Sequence, residues 1–161
     1  MSILIPKNIT LPLQIGLISW GGSGYLRPAS GTWGTLVALP FAFLLHFYGG
    51  IWALFIAAGI LYLLAVPCIR SYERATGSHD SSRIVIDEVV GILIALCAAY
   101  LTWIDYIAAF FLFRAFDAIK PGPIGWVDQR IPGAHGVLLD DVVAGIFTAL
   151  CLIFIHGIAG V

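Results

Sequence analysis

The stretch Ile84–Cys97, IVIDEVVGILIALC, recurs later in the chain as Val137–Cys151, VLLDDVVAGIFTALC. Each copy places two adjacent acids at the start of an apolar run. The acids are Asp87 and Glu88 in the first copy and Asp140 and Asp141 in the second. Ionised groups in such surroundings are costly unless they are paired, hydrated or bound to a cation. The repeat therefore predicts that the chemistry lies where the two copies meet.

The alignment of the two copies leaves one question open. If Ala144 is skipped, eight of fourteen aligned pairs are identical, and Asp87 pairs with Asp140. A gapless alignment anchored on the glycine of each copy pairs Asp87 with Asp141 instead. The sequence alone does not decide between these two equivalences.

The composition predicts a membrane protein with a single domain, residues 1–161. The chain has 161 residues, of which 60% are hydrophobic and 11% are charged, whereas soluble domains have about 25% charged residues. The mean hydropathy is +0.99. These values indicate an all-α, multi-pass membrane helical bundle, because helices satisfy their own backbone groups in lipid. A net charge of −1 gives no reason to expect a nucleic-acid partner.

Five short apolar stretches follow the N-terminal section, and each is a predicted transmembrane helix. Most of them are shorter than the ~20 residues of a typical crossing. Gly49 and Gly50 join the first two, and the region around Asp105 joins the third and fourth. We expect the Gly/Pro-rich segment 120–139 to be an ordered loop without regular structure. The five stretches are 33–48, 51–67, 88–104, 106–119 and 141–159.

The distribution of basic residues predicts the orientation. If the N-terminus is cytoplasmic and all five stretches cross, the inner side holds 1–32, 68–87, 120–140 and the helix ends beside them. All eight lysines and arginines then lie on or near that side, as the positive-inside rule requires. Eight of the nine acids lie there too, the exception being Asp105. The N-terminus and a polar site are therefore predicted at the cytoplasmic face.

The four repeated acids suit a magnesium site, since Mg²⁺ binds carboxylate oxygens and keeps waters for exchange with substrate. Asp80, seven residues before Asp87, is a candidate additional ligand or a loop cap. The alternative is that acids simply favour the first turn of a helix, where they offset its dipole. That alternative explains one acid per helix better than two adjacent acids at both.

A second group of charges is Arg114, Asp117 and Lys120, which are spaced three apart and so share one helical face. Arginine offers a forked donor and lysine a point charge, and both suit a phosphate. The alternative is a local ion pair between Arg114 and Asp117, with Lys120 reaching toward the membrane surface.

The glycine-rich segment 21–35, GGSGYLRPASGTWGT, is a third candidate. Its backbone, with Arg27 and Thr32, could form a nest for an anion ahead of the first long helix. It matches neither a P-loop nor a dinucleotide fingerprint. The alternative is an interfacial turn in which Ser30 or Thr32 caps the helix.

Four motifs in this order resemble the bacterial phosphatidylglycerophosphatase A family. They are LRPASGTWGTL (26–36), IVIDEVVG (84–91), FRAFDAIKPGPIG (113–125) and GVLLDDVVAG (136–145). The match covers nearly the whole chain. Ser30 stands where the family usually has proline, and Ser81 replaces a proline that commonly follows the acid at Asp80.

The resemblance implies a Mg²⁺-dependent phosphatase of the bacterial inner membrane that converts phosphatidylglycerophosphate to phosphatidylglycerol and phosphate. Asp80, Asp87, Glu88, Asp140 and Asp141 would hold the metal. The substrate phosphate would contact Arg27, Thr32, Arg114 and Lys120. Asp117 would join the acids, Arg114 and Lys120 in catalysis. The alternative function is a cation-binding transporter or channel subunit. The sequence does not set the oligomeric state.

Overall fold

In the computed structural model, residues 10–78 and 81–160 are described, and this part of the chain is helical without strands. A short 3₁₀ turn, Ser23–Tyr25, separates the first two helices. The predicted ligand Asp80 lies outside the described residues. The helices are α1 (Thr10–Ile18), α2 (Ser30–Thr76), α3 (Ile86–Leu96), α4 (Trp103–Ile119), α5 (Pro123–Arg130) and α6 (Ala134–Ala159).

Helix α2 is a hairpin of two helical arms, because its backbone leaves the helical region at Gly50, with φ 64° and ψ −162°. A straight helix of 47 residues would be about 70 Å long. Yet Ser30 and Glu73, near its opposite ends, line the same cavity. The arms 30–49 and 51–76 therefore run in opposite directions, and the predicted joint at Gly49 and Gly50 is present.

Contacts at the far end of the bundle complete the topology. The His46 ring lies 3.1 Å from the Tyr106 hydroxyl at the start of α4. The Cys97 thiol, at the end of α3, donates to the Ile51 carbonyl. Five helical segments thus alternate in direction: the two arms of α2, then α3, α4 and α6. Their polar ends, which the charge pattern placed on one side, meet at one end of the bundle.

The joint predicted around Asp105 is wrong in position. Helix α3 ends at Leu96, and α4 already begins at Trp103. The Thr102 side chain accepts a hydrogen bond from the Asp105 amide, and the Asp105 carboxylate accepts one from the Tyr100 amide at 2.5 Å. This capping arrangement starts the helix before Asp105, so Asp105 lies in its first turn.

The prediction that 120–139 lacks regular structure is also wrong. Pro123 begins α5, a position where its fixed φ and missing N–H suit a helix start. Helix α6 begins at Ala134, directly after Gly133, whose φ is 71°. Asp140 and Asp141 therefore lie in the interior of α6, not at its mouth.

Helices α3 and α6 cross at two glycines. A Cβ atom added to Gly145 would overlap the Gly91 carbonyl oxygen, and one added to Gly91 would lie 2.7 Å from the Asp141 carbonyl oxygen. Asp87 and Asp141 each lie four residues before the glycine of their helix, and therefore on the same face as it. The structure favours the gapless alignment, in which Asp87 corresponds to Asp141.

The surface is consistent with a lipid environment. Helices α2 and α6 are long and apolar enough to cross a membrane. Many large apolar side chains are exposed, which is unusual for a soluble monomer. Exposed tryptophans and tyrosines lie near both ends of the bundle, as at the two interfaces of a bilayer. They are Tyr48, Trp52, Tyr100 and Trp103 at one end and Tyr25, Trp33 and Trp126 at the other. The five-crossing topology stays a prediction.

Replacing Gly145 by alanine should force α3 and α6 apart, because the new methyl group would meet backbone rather than a movable side chain. We expect a loss of about 1–3 kcal/mol, the usual range for overpacking. The measurement is the midpoint of thermal unfolding in detergent. Gly157→Ala is the control, since Gly157 lies on the same helix with open space around its Cα. Equal midpoints for the two variants would contradict the close crossing.

Candidate active site

A cavity of about 760 Å³ opens at the polar end of the bundle. The start of α2, the loop before α3 and helices α3 to α6 all contribute to it. Among the described residues that line it, seven are acidic and one is basic. The acids are Glu73, Asp87, Glu88, Asp117, Asp128, Asp140 and Asp141, and the base is Lys120. Five of the seven predicted catalytic residues were carboxylates, and all five line this cavity.

Three carboxylates converge at its base. One oxygen from each of Asp87, Glu88 and Asp141 lies within 4.8 Å of the other two. Asp87 and Asp141 are less than one-tenth exposed. Within the described part of the chain, Glu88 Oε2 and Asp141 Oδ1 are buried without a hydrogen-bond partner. Buried, unpaired carboxylate oxygens at this spacing fit a divalent cation with oxygen ligands.

The helix-dipole explanation accounts for only one of the two acidic pairs. Asp87 and Glu88 occupy the first turn of α3, where the dipole favours negative charge. Asp140 and Asp141 lie more than one turn inside α6, and the dipole effect fades within the first turn. Their burial in the helix interior therefore needs another source of compensation.

Arg114, on α4, is held between two acids. Its Nη1 atom lies 2.5 Å from Asp117 Oδ2 and 3.7 Å from Glu88 Oε1. The local ion pair that the spacing suggested is therefore present, and it also reaches the carboxylate cluster. Arg114 is not among the described residues that line the cavity, but its guanidinium contacts two carboxylates that are.

Lys120 ends α4 in the left-handed conformation, with φ 47° and ψ 54°, which costs a non-glycine residue about 1–2 kcal/mol. Its Nζ donates to Asp128 Oδ1 at 2.6 Å and to Asp140 Oδ2 at 2.7 Å. Burial opposes protonation, but these two hydrogen bonds raise the pKa of Lys120 above its usual value. The strained backbone thus turns a charged amine toward α6 and the cavity.

Gly31 provides space for the site at the start of α2. A Cβ atom at this position would overlap Glu88 Oε1 and lie 3.1 Å from Arg114 Nη1. The Glu88 carboxylate therefore rests against the first turn of α2, whose dipole favours an anion there. The glycine-rich segment does face an anion, and that anion is a side chain of the protein itself.

The remaining predicted residues are less central. Arg27 is exposed and Thr32 is half-buried, and neither is among the described residues that line the cavity. Their proposed contact with phosphate stays a prediction. Ser30 does line the cavity, where its hydroxyl donates to the Ser82 carbonyl at 2.6 Å. The sequence did not indicate Asp128, and it gave Gly31 only as one glycine of the segment 21–35, because a single acid and a single glycine carry no pattern.

The charge balance limits what the cavity can bind. Carboxylates outnumber basic groups along its wall, so a phosphate entering alone would meet net repulsion. A divalent cation at the three-carboxylate cluster would reverse that local field. The arrangement therefore suits a phosphate only together with a cation, with Arg114 and Lys120 beside it.

Comparison with known proteins identifies the family of the chain. The family model for Phosphatidylglycerophosphatase A matches residues 16–156. The chain is 36% identical to Phosphatidylglycerophosphatase A of Haemophilus influenzae over 152 residues, 93% of each chain. It is 37% identical to the protein of the same name from Escherichia coli K12, covering 83% of this chain and 78% of the relative.

A third relative, from Bacteroides thetaiotaomicron, carries the provisional name phosphatidylinositol-3-phosphatase and is 34% identical over 157 residues, 93% of this chain and 96% of its own. No solved structure matches the chain. The family model and the two relatives of that name each cover most of the sequence. The chain therefore belongs to the phosphatidylglycerophosphatase A family.

Proposed function

We propose that this protein hydrolyses the terminal phosphomonoester of phosphatidylglycerophosphate, releasing phosphatidylglycerol and inorganic phosphate. The observation that carries the proposal is the cavity at the polar end of an apolar bundle, where three clustered carboxylates lie beside Lys120 and Arg114. Membership in the phosphatidylglycerophosphatase A family supports the choice of substrate. A phosphate carried on a lipid could reach this cavity while its acyl chains stay in the membrane.

Asp87, Glu88 and Asp141 would hold a Mg²⁺ ion. When bound, the ion would supply charge neutralisation and Lewis-acid polarisation of the phosphoryl group. Asp140 contributes differently, because its Oδ2 accepts a hydrogen bond from Lys120 while its buried Oδ1 has no partner among the described residues. We therefore assign Asp140 to a role beside the metal ligands. Asp80 remains a candidate ligand.

The side chains around the cluster would bind the phosphoryl oxygens and accept a proton. Arg114, oriented by Asp117, would neutralise phosphoryl oxygens on one side, and Lys120 would do so on the other. The free Oδ1 of Asp140 is a candidate to take a proton from the attacking water. The alternative is attack by an aspartate to form an aspartyl-phosphate, which rapid quenching with radiolabelled substrate would trap as a phosphorylated protein.

The proposed location is the cytoplasmic face of a bacterial inner membrane. The polar end that holds the cavity also carries the segments with the described lysines and arginines, which the positive-inside rule assigns to the cytoplasm. Oriented labelling of introduced cysteines in intact cells would test the orientation.

The geometry favours an enzyme over the alternative of a cation transporter or channel subunit. The carboxylates lie at one end of the bundle, whereas transport sites usually lie near the bilayer midplane. The fully buried Phe113 packs against Gly91, one turn beyond Asp87. The buried residues of α3 beyond this point are all apolar, so this helix offers a cation no side-chain ligand further into the bundle.

The direct test uses the purified protein in mixed micelles with three lipids in parallel: phosphatidylglycerophosphate, phosphatidylinositol 3-phosphate and phosphatidic acid. Release of inorganic phosphate is measured with Mg²⁺ and with EDTA. We expect Mg²⁺-dependent release, fastest from phosphatidylglycerophosphate. Absence of release from all three would reject a phosphatase, and preference for another lipid would reject the proposed headgroup.

Asp141→Asn and Asp87→Asn should each abolish turnover, because each removes a charged ligand from the cluster. They should also weaken binding of Mn²⁺, used as a paramagnetic probe, by more than about 100-fold, since loss of a residue that only supports a ligand already costs about 10- to 100-fold. Asp105→Asn is the matched control, since Asp105 is a buried acid at the opposite end of the bundle. Binding is measured by electron paramagnetic resonance in detergent. Unchanged Mn²⁺ affinity in Asp141→Asn would remove Asp141 from the ligand set.

Lys120→Gln should lower kcat/KM by about 10²-fold or more, as expected for losing a charged contact to a transferring phosphoryl group. Arg130→Gln removes a nearby positive charge from an exposed position that does not line the cavity, so it controls for long-range attraction of the anionic lipid. Steady-state kinetics on both variants gives the comparison. An equal fall in kcat/KM for the two variants would show that Lys120 acts only through long-range attraction of the anionic lipid.

Gly31→Ala should displace the Glu88 carboxylate, since the added methyl group would occupy its position. We expect activity and Mn²⁺ affinity to fall by about 10- to 100-fold, the usual effect of disturbing the support of a ligand. Gly16→Ala, at a helical glycine with open space around it, should change neither. Full activity in Gly31→Ala would show that Glu88 does not need this position.

A further inference from the structure

A second, apolar groove of about 230 Å³ opens on the side of the bundle. It lies between the second arm of α2, helix α3 and helix α6. Its wall is hydrophobic except for the Tyr62 hydroxyl, which is already engaged with His135 Nδ1 at 2.9 Å. The lining residues are Phe55, Ala58, Gly59, Tyr62, Val90, Ile94, Leu139 and Val142.

The groove and the acidic cavity are built on the same turns of the same helices. On α6, Leu139 and Val142 line the groove, while the intervening Asp140 and Asp141 line the cavity. On α3, Val90 faces the groove two residues after Glu88, which lines the cavity. An apolar site and a charged site thus lie on different faces of the same helical turns, so that their separation is about the diameter of a helix, roughly 10 Å.

This juxtaposition matches the chemistry of a phospholipid. In such a molecule an ionic phosphate and an apolar chain are joined through a short glycerol linker. The groove is smaller than the 300–1,000 Å³ typical of pockets that enclose a whole small ligand, so it suits part of a single chain. Phe55, which lines the groove, is 60% exposed, so the groove opens to the outer surface of the bundle.

We propose that this groove binds one acyl chain of the lipid whose phosphate enters the acidic cavity. The inference rests on the proposed phosphatase function and adds a determinant of substrate recognition to it. Gly59 and Ala58 line the groove, and their small size leaves its volume open, because larger side chains would fill it. Lipid held there would present its headgroup to Asp140, Asp141 and Lys120 in a restricted orientation.

The test fills the groove with Gly59→Phe, since nothing lies within 4 Å of a Cβ at this position. The probes are dioleoyl phosphatidylglycerophosphate in mixed micelles and dihexanoyl phosphatidylglycerophosphate as dissolved monomers. We expect kcat/KM for the long-chain lipid to fall roughly tenfold or more, the loss expected when about two methylene groups lose burial. Activity on the short-chain lipid should stay within about twofold, which also shows that the variant folds.

The matched control is Gly157→Phe, a helical glycine that likewise has open space around it but lies outside the groove. It should leave the ratio of the two activities unchanged. Three results would overturn the inference: an equal loss on both lipids, no loss on either, or a change in oligomeric state, which would make the groove a contact between copies. If the unmodified protein hydrolyses neither lipid, the proposed function itself fails.

Discussion

The close crossing of α3 and α6 at Gly91 and Gly145 is the contact on which the rest of the structure depends. Only glycine leaves room for the backbones to meet there. Because Asp87 and Asp141 precede these glycines by one helical turn, the crossing brings their carboxylates together. Glu88 joins them from the first turn of α3. Packing of small residues, a common device between membrane helices, thus also assembles the candidate metal site.

The same crossing brings several negatively charged side chains together inside an apolar bundle. Each acid would be costly there alone, and together they repel one another. The protein compensates for some of this charge: Arg114 lies between Asp117 and Glu88, and Lys120 bridges Asp128 and Asp140. The compensation is incomplete, since carboxylate oxygens of Glu88, Asp140 and Asp141 stay without hydrogen-bond partners in the described structure. An incompletely neutralised cluster of this kind is characteristic of a site that binds a cation.

The carboxylate cluster lies close to an apolar surface, and this position bears on how a lipid substrate could bind. The cavity lies at the polar end of the bundle, and the apolar groove beside it shares helices α3 and α6. With a cation at the carboxylate cluster, a molecule with an anionic head and a hydrocarbon tail would have a binding surface for each part within a short distance. This arrangement suggests a route by which a lipid held in the membrane could bring its phosphate to the carboxylate cluster.

The sequence by itself determined the helical class, the apolar segments, the acidic repeat and the family, because these follow from composition, spacing and motif order. It also predicted Asp87, Glu88, Arg114, Lys120 and Asp141 as residues of the site. The sequence did not predict the helix boundaries near Asp105 and Pro123. These depend on capping by Thr102 and on a proline at the helix start, which are local signals that a hydropathy pattern does not contain. Only the tertiary structure chose between the two alignments and paired Asp140 with Lys120. It also revealed Gly31 and Asp128. These features depend on which helix faces meet in space, and a one-dimensional pattern does not specify that.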